Sequence, residues 1–165
     1  MPQSGVAAGV AAQAVGVASP PGGDRMGREW VALLAEVPLF AGLSKRQLRR
    51  VAGLGRTRRF EQGALLIRAG DPGDAFYVVL DGTARVRPRT GRAAKLGAGD
   101  YFGEMALFDG APRSADVEAL SEVLTMRIGR ASFTKLLRRE PQISTSLLAA
   151  LASRIRGLER SRGGV

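Results

Sequence analysis

The chain has 165 residues, 45% of them apolar, and carries 25 basic against 15 acidic side chains, a net charge of +10 at neutral pH. That is one domain of ordinary size with some length left over for tails. It contains no cysteine and no histidine, which excludes disulfides, thiolate nucleophiles, zinc sites with nitrogen or sulfur ligands, facial-triad and cupin-type metal sites, and any Ser-His-Asp or Cys-His device.

Residues 2–23 are mostly Ala, Gly and Val and end in Pro-Pro-Gly-Gly. No side chain there is large enough to build a core, so residues 1–27 read as a disordered Ala/Gly-rich tail. A signal peptide is the competing reading, through the small Val17-Ala18-Ser19. Against it stand the missing basic start and an apolar run broken by Gly and Gln13. No stretch of about 18 apolar residues occurs, so no membrane span is expected. The expected location is the cytoplasm.

From Arg28 the pattern turns helical: Trp30, Leu33, Leu34 and Val37 share one face, and Pro38 stops the run. Leu39-Phe40-Ala41-Gly42-Leu43 is an apolar turn. Ser44-Lys45-Arg46-Gln47 has capping-box spacing and opens a second helix over about 45–55, carrying Leu48, Val51 and Leu54.

Short runs follow: Phe60–Arg68, Ala75–Leu80, Thr83–Pro88, Ala93–Leu96, Ser114–Glu118 and Val123–Ile128, punctuated by Gly, Asp and Pro. Asp81-Gly82 predicts a tight hairpin, and Gly70-Asp71-Pro72-Gly73-Asp74 another turn. The last third is helical again. Phe133, Leu136 and Leu137 make a short helix. Pro141 then opens a longer one, along which Ile143, Leu147, Leu151, Ile155 and Leu158 form one apolar stripe.

The order predicts a mainly β domain with flanking helices. It is an antiparallel β-roll or jelly roll of about eight strands over 59–129, with N-terminal helices over 28–58, two helices over 130–160 and a short tail over 161–165. The basic surplus sits at the ends: residues 1–60 carry 9 basic and 3 acidic groups, 61–129 carry 8 and 10, and 130–165 carry 8 and 2. Such ends suit an anionic partner. But 22 of the 25 cations are Arg in an Ala/Gly-rich chain, which the coding bias of a GC-rich bacterial genome also produces. No groove-reading motif or aromatic-studded basic strand supports nucleic acid.

The segment that carries chemistry is Gly99–Asp116, GDYFGEMALFDGAPRSAD, which interrupts the strand rhythm. A short helix from about Gly103 offers free N–H groups, and Gly103 admits close approach of a ligand. Both suit a phosphate. Arg113, nine residues after Glu104, is placed to return and bind that phosphate through two hydrogen bonds. Glu104 repels a phosphate and is better suited to accept from sugar hydroxyls. On these residues alone two readings stay open: a sugar-phosphate pocket, or a plain Glu104–Arg113 ion pair.

Phe102-Gly103-Glu104-Met105-Ala106-Leu107 followed by Pro112-Arg113-Ser114-Ala115 resembles the phosphate-binding cassette of cyclic nucleotide-binding domains, as in bacterial cyclic nucleotide-gated channels and CRP-type sensors. Val37–Leu43 resembles that family's entry helix and turn. Gly70-Asp71, Gly73-Asp74, Tyr77–Gly82 and Val86 resemble its strand region. The resemblance covers about residues 30–160.

It implies that a 3′,5′-cyclic nucleotide is the regulatory ligand, cAMP favoured over cGMP, with no metal and no turnover. Arg113 then neutralises the cyclic phosphate and Glu104 accepts from the ribose 2′-hydroxyl, which excludes 2′,3′-cyclic nucleotides. N–H groups of Gly103, Ala106 and Ser114 complete the cradle, with Met105 in the same short cassette helix. The last helix is implied to be a lid over the base. Counted without gaps through Pro141, Arg154 falls where related channel domains place an arginine against the base. Leu151, Ile155 and Leu158 would cover the base, with Val86 beside it; a core or dimer stripe is the plainer reading of the three apolar residues, and a surface arginine that of Arg154.

An enzyme on a similar roll is disfavoured by the missing His and Cys and by the lack of a close carboxylate pair. Two alternatives to the sensor are a structural or dimerising roll that binds no nucleotide, and a basic module for an anionic partner. A homodimer through the C-terminal helix and an unknown protein effector are the remaining partners considered. About five residues follow the lid helix, too few for a winged helix-turn-helix. The expectation is a free-standing sensor domain or a fragment of a larger protein.

Overall fold

A computed structural model describes residues 17–18 and 24–163. The tail expected over 1–27 lies mostly outside them. Within that span Val17–Ala18 forms a two-residue strand, β1, and Asp24 already opens the first helix, α1 (Asp24–Ala35).

After α1, Pro38–Phe40 forms a single 3₁₀ turn and α2 runs over Lys45–Ala52. The predicted capping box is present. Gln47 N–H donates to Ser44 Oγ at 3.2 Å, and Ser44 N–H donates to Gln47 Oε1 at 3.0 Å. Strands β2 (Arg56–Phe60), β3 (Leu65–Ile67), β4 (Ala75–Asp81), β5 (Ala84–Pro88), β6 (Ala94–Leu96) and β7 (Tyr101–Phe102) follow. Then come the short helix α3 (Ala106–Asp109), β8 (Ala115–Ala119), β9 (Val123–Gly129), α4 (Arg130–Arg139) and α5 (Pro141–Ser161).

Two antiparallel sheets result, in the orders β1-β2-β9-β4-β7 and β3-β8-β5-β6. From β2 onward the chain crosses between them at nearly every connection, the habit of a jelly roll. That habit corrects one expectation. Asp81-Gly82 does not close a hairpin, because β4 and β5 part into different sheets. Gly82, at φ +89°, turns the chain across. Thr83 then bonds to the β8–β9 turn: its N–H donates to Ser121 Oγ at 3.0 Å and its carbonyl accepts from Leu120 N–H at 2.9 Å.

The run expected over Phe60–Arg68 is likewise two strands. β2 is rich in arginine, but Thr57 and Phe60 are buried, on opposite faces, while Arg56 and Arg59 stay exposed.

The core has two parts. Inside the roll lie Phe60, Leu66, Ala75, Tyr77, Val79, Phe102, Val117 and Val123. Between the first sheet and the helices lie Trp30, Leu34, Phe40, Val51, Phe76, Val78, Met126, Ile128, Phe133, Ile143 and Leu147. β4 therefore buries both faces: Ala75, Tyr77 and Val79 line the roll while Phe76 and Val78 meet the helices. Each such Val, Leu or Phe contributes about 1.5–3 kcal/mol of burial. α5 joins this core only through its first half: Ile143 and Leu147 are buried, whereas Leu148, Ile155 and Leu158 are 66, 56 and 64% exposed.

Candidate functional site

The cassette lies between the end of β7 and the start of β8. Gly103 stands in the left-handed region, at φ +79°, and swings the chain off β7. This corrects the expected helix start. α3 begins only at Ala106, with Glu104 and Met105 in the turn before it. The left-handed turn leaves the N–H groups of Gly103, Glu104 and Met105 without acceptors among the described residues, while Ala106 N–H closes onto Gly103 O at 3.2 Å. α3 ends on Gly110, also left-handed at φ +60°, with the Arg130 guanidinium packed against it.

Arg113 does return to Gly103. A Cβ placed on Gly103 would stand 2.5 Å from Arg113 Nη1 and 3.0 Å from Ala75 O. Its side chain is 4% exposed. Nη2 donates to Ala75 O at 2.6 Å and lies 3.6 Å from Asp74 Oδ1. The ion pair Arg113 makes is therefore with Asp74, not Glu104. Burial pushes the guanidinium below its ordinary value, Tyr77 and Asp74 draw it back up, and Arg127 pushes it down. An arginine stays charged through all of this.

The turn over 70–74 holds that arginine in place. Gly70 N–H donates to Arg113 O and Arg113 N–H donates to Asp71 O, both at 2.8 Å. Gly73 is buried against Ala106. Asp74 also accepts from Arg127 Nη2 at 3.4 Å. Sequence reasoning marked these residues as a turn but did not assign Asp74 its role as the partner of Arg113. The two are 39 positions apart, and nothing local signals the pair.

Ser114 is exposed beside Arg113, and its N–H has no acceptor among the described residues. Glu104 is half-buried, and its carboxylate forms no hydrogen bond or ion pair among them. Its carboxylate acts on Tyr101, whose hydroxyl is pushed up from 10.0 first by burial and then by Glu104, while Arg154 pulls it down. The second half of α5 thus carries Arg154 to within electrostatic reach of Tyr101 on β7. Leu151 packs on the helical core, but Ile155 and Leu158 lie beyond it. Met105 is 47% exposed. Val86 is half-buried against the inner core, opposite Val117 and Ala94.

A cleft of about 430 Å³ opens against the cassette, lined by Gly70, Pro88, Arg89, Thr90, Pro112, Arg113 and Ser114. It falls within the usual range for a small-molecule site. Five of these seven, Gly70, Pro88, Arg89, Thr90 and Pro112, are not among the site residues read from the sequence.

A buried guanidinium beside free N–H groups, with a carboxylate on the neighbouring turn, is the geometry expected for a sugar-phosphate ligand. The family model of the cyclic nucleotide-binding domain matches residues 57–140, just over half of the chain. The chain belongs to the cyclic nucleotide-binding domain family.

A cAMP-dependent protein kinase regulatory subunit from Emericella nidulans is 39% identical over 112 residues, 67% of this chain and 27% of its own length. A cyclic nucleotide-gated potassium channel from Mesorhizobium japonicum is 38% identical over 117 residues, 71% of this chain and 32% of its own. Among solved structures, the N-terminal domain of a transcriptional regulator from Streptomyces coelicolor superposes with a TM-score of 0.70 at 33% identity, covering 78% of this chain and 95% of that one. The chain thus spans about a quarter to a third of the length of the curated relatives it matches. Among the described residues no helix is long and apolar enough to cross a membrane, and no group of acidic side chains could hold a metal ion.

Proposed function

We propose that this cyclic nucleotide-binding domain is a regulatory sensor of the cytoplasm for a 3′,5′-cyclic nucleotide, cAMP in preference to cGMP, and that α5 is its moving lid. The observation that carries the reading is Arg113. It is buried, pinned by Asp74 and Ala75 O, and pressed against the left-handed Gly103 at the wall of the cleft. The cyclic phosphate's single charge sits on Arg113, with the free N–H groups of Gly103 and Ser114 donating to its oxygens. Glu104 accepts from the ribose 2′-hydroxyl. The preference for cAMP draws support from the likeness to a kinase subunit described as cAMP-dependent.

Binding must favour a closed lid over an open one. Moving that equilibrium from 1:99 to 99:1 takes about 5.5 kcal/mol of differential affinity. One charged hydrogen bond contributes about 1.5–3 kcal/mol. Arg113 therefore does not suffice, and the base must add contacts with Val86 and with Arg154, Leu151, Ile155 and Leu158 of α5. Titration with 3′,5′-cAMP, 3′,5′-cGMP and 2′,3′-cAMP tests the site. Saturable binding of the first two, tighter for cAMP, with none of the third is expected. Equal binding of the 2′,3′ isomer would remove Glu104 from the ribose. No binding of any would leave a structural roll.

The exposed apolar residues of α5 favour a second use of the same helix. Leu148, Ile155 and Leu158 are exposed and, with the half-buried Leu151 between them, are spaced three, four and three apart, a two-heptad seam. Pairing of two copies along it makes the chain a homodimer. Light scattering should give twice the chain mass, and Ile155→Asp should return the monomer; a monomeric wild type would rule the seam out.

A further inference from the structure

The cleft beside the cassette holds a second guanidinium. Arg89 projects from the tip of the β5–β6 hairpin, exposed, and Nη2 lies 3.2 Å from where a Cβ on Gly70 would stand. Gly70 in turn donates its N–H to the carbonyl of Arg113. Arg89 therefore reaches across to the wall that holds the phosphate-binding arginine, and the two side chains line one cavity.

Their states differ. Arg113 is buried and already engaged by Ala75 O and Asp74. Arg89 has no carboxylate within ion-pair distance among the described residues, unlike Arg87 two positions earlier, which pairs with Glu118 at 3.3 Å. Thr90 and Ser114, on the same cleft, also hold hydroxyls with no hydrogen-bond partner among the described residues. A long, solvated, unpaired cation at the mouth of a cleft is poorly explained as a structural support. It suits the capture of an anion.

We propose that Arg89 is the rim cation of this site. It draws the anionic ligand to the cleft and donates to the face of the phosphate that Arg113 leaves open. The inference rests on the cyclic nucleotide reading above and adds to it a residue and a division of labour. Asp74 is shared between Arg113 and Arg127 and partly offsets their charge, and Arg89 adds positive charge on the open side of the cleft for a monoanion. A rim charge acts mainly on association and is screened by salt; a buried charged contact acts mainly on dissociation.

Stopped-flow binding of fluorescently labelled cAMP to the full chain separates the two. At about 0.01 M salt, where the Debye length is about 30 Å, Arg89→Ala should slow association on the order of threefold to tenfold. Arg89→Glu should slow it further and Arg89→Lys should restore most of it. At about 1 M salt the length falls to about 3 Å, and the differences should close. Arg113→Ala should instead speed dissociation. Thermal melts of the Arg89 variants should match wild type, since the side chain is exposed.

Wild-type association retained by Arg89→Ala and Arg89→Glu at low salt would overturn the rim role and leave the sensor reading intact. Failure of the wild-type chain to bind the probe would overturn both.

Discussion

Gly103→Ala probes the cassette's geometry directly. Gly103 sits at φ +79°, where a Cβ is strained whatever its surroundings and costs about 1–2 kcal/mol. For a domain of this size that lowers Tm by about 2–8 °C. The added methyl also meets Arg113 Nη1 at 2.5 Å and Ala75 O at 3.0 Å. The guanidinium can yield only by leaving Ala75 O and the phosphate position. Losing that charged contact removes about 1.5–3 kcal/mol of ligand binding, an affinity loss of about 10- to 100-fold. Gly99→Ala is the matched control. Gly99 has φ +90° with nothing within 4 Å of its Cβ position, so it should show the Tm loss and keep full affinity. Thermal unfolding and calorimetric titration with cAMP measure both quantities. Equal cAMP affinity in Gly103→Ala and Gly99→Ala would refute the role given to the Gly103–Arg113 contact.

Glu104→Gln should weaken 3′,5′-cAMP by about tenfold, in line with a lost charged hydrogen bond, and leave the weaker binding of 2′-deoxy-cAMP unchanged; equal losses for both ligands would take Glu104 off the ribose. Tyr101 should make stability fall with alkaline pH. Its hydroxyl titrates above 10.0 in the fold, so the folded state holds the proton that the unfolded chain releases from about pH 10 upward. Tyr101→Phe should lose less Tm than wild type as pH rises past 10; parallel curves would contradict the burial and carboxylate effects on Tyr101.

Much of this fold was legible because local chemistry and tertiary role agree. The Ser44–Gln47 capping box, Pro141 at the start of α5 and the buried run Ala75–Val79 each read the same in sequence and structure. β2 was missed because it shows no alternation: Arg56, Arg58 and Arg59 fill it, and its two buried positions, Thr57 and Phe60, stand three apart and so face opposite sides of the strand. The two-residue strands β1 and β7 exist only through their partners.

In the cassette, residue types suggested phosphate and sugar chemistry for Gly103, Glu104, Arg113 and Ser114, and the structure sets Gly103 against the Arg113 side chain, with Arg113 and Ser114 lining the cleft. Two features needed three dimensions. Asp74 meets Arg113, and Arg89 faces Gly70, only after the strands cross between sheets. The stripe on α5 read as continuous. It divides because the helix outruns the layer it packs on, leaving Ile155 and Leu158 exposed.

The central claim is that buried Arg113 anchors a cyclic phosphate. Calorimetric titration of wild type and Arg113→Ala with cAMP, side by side, tests it most directly, with a thermal melt to show that the variant folds. The account predicts saturable one-to-one binding by wild type, weakened about 10- to 100-fold in the variant. Equal affinity in the folded variant, or neither heat nor thermal stabilisation of the wild type at millimolar cAMP, would contradict it.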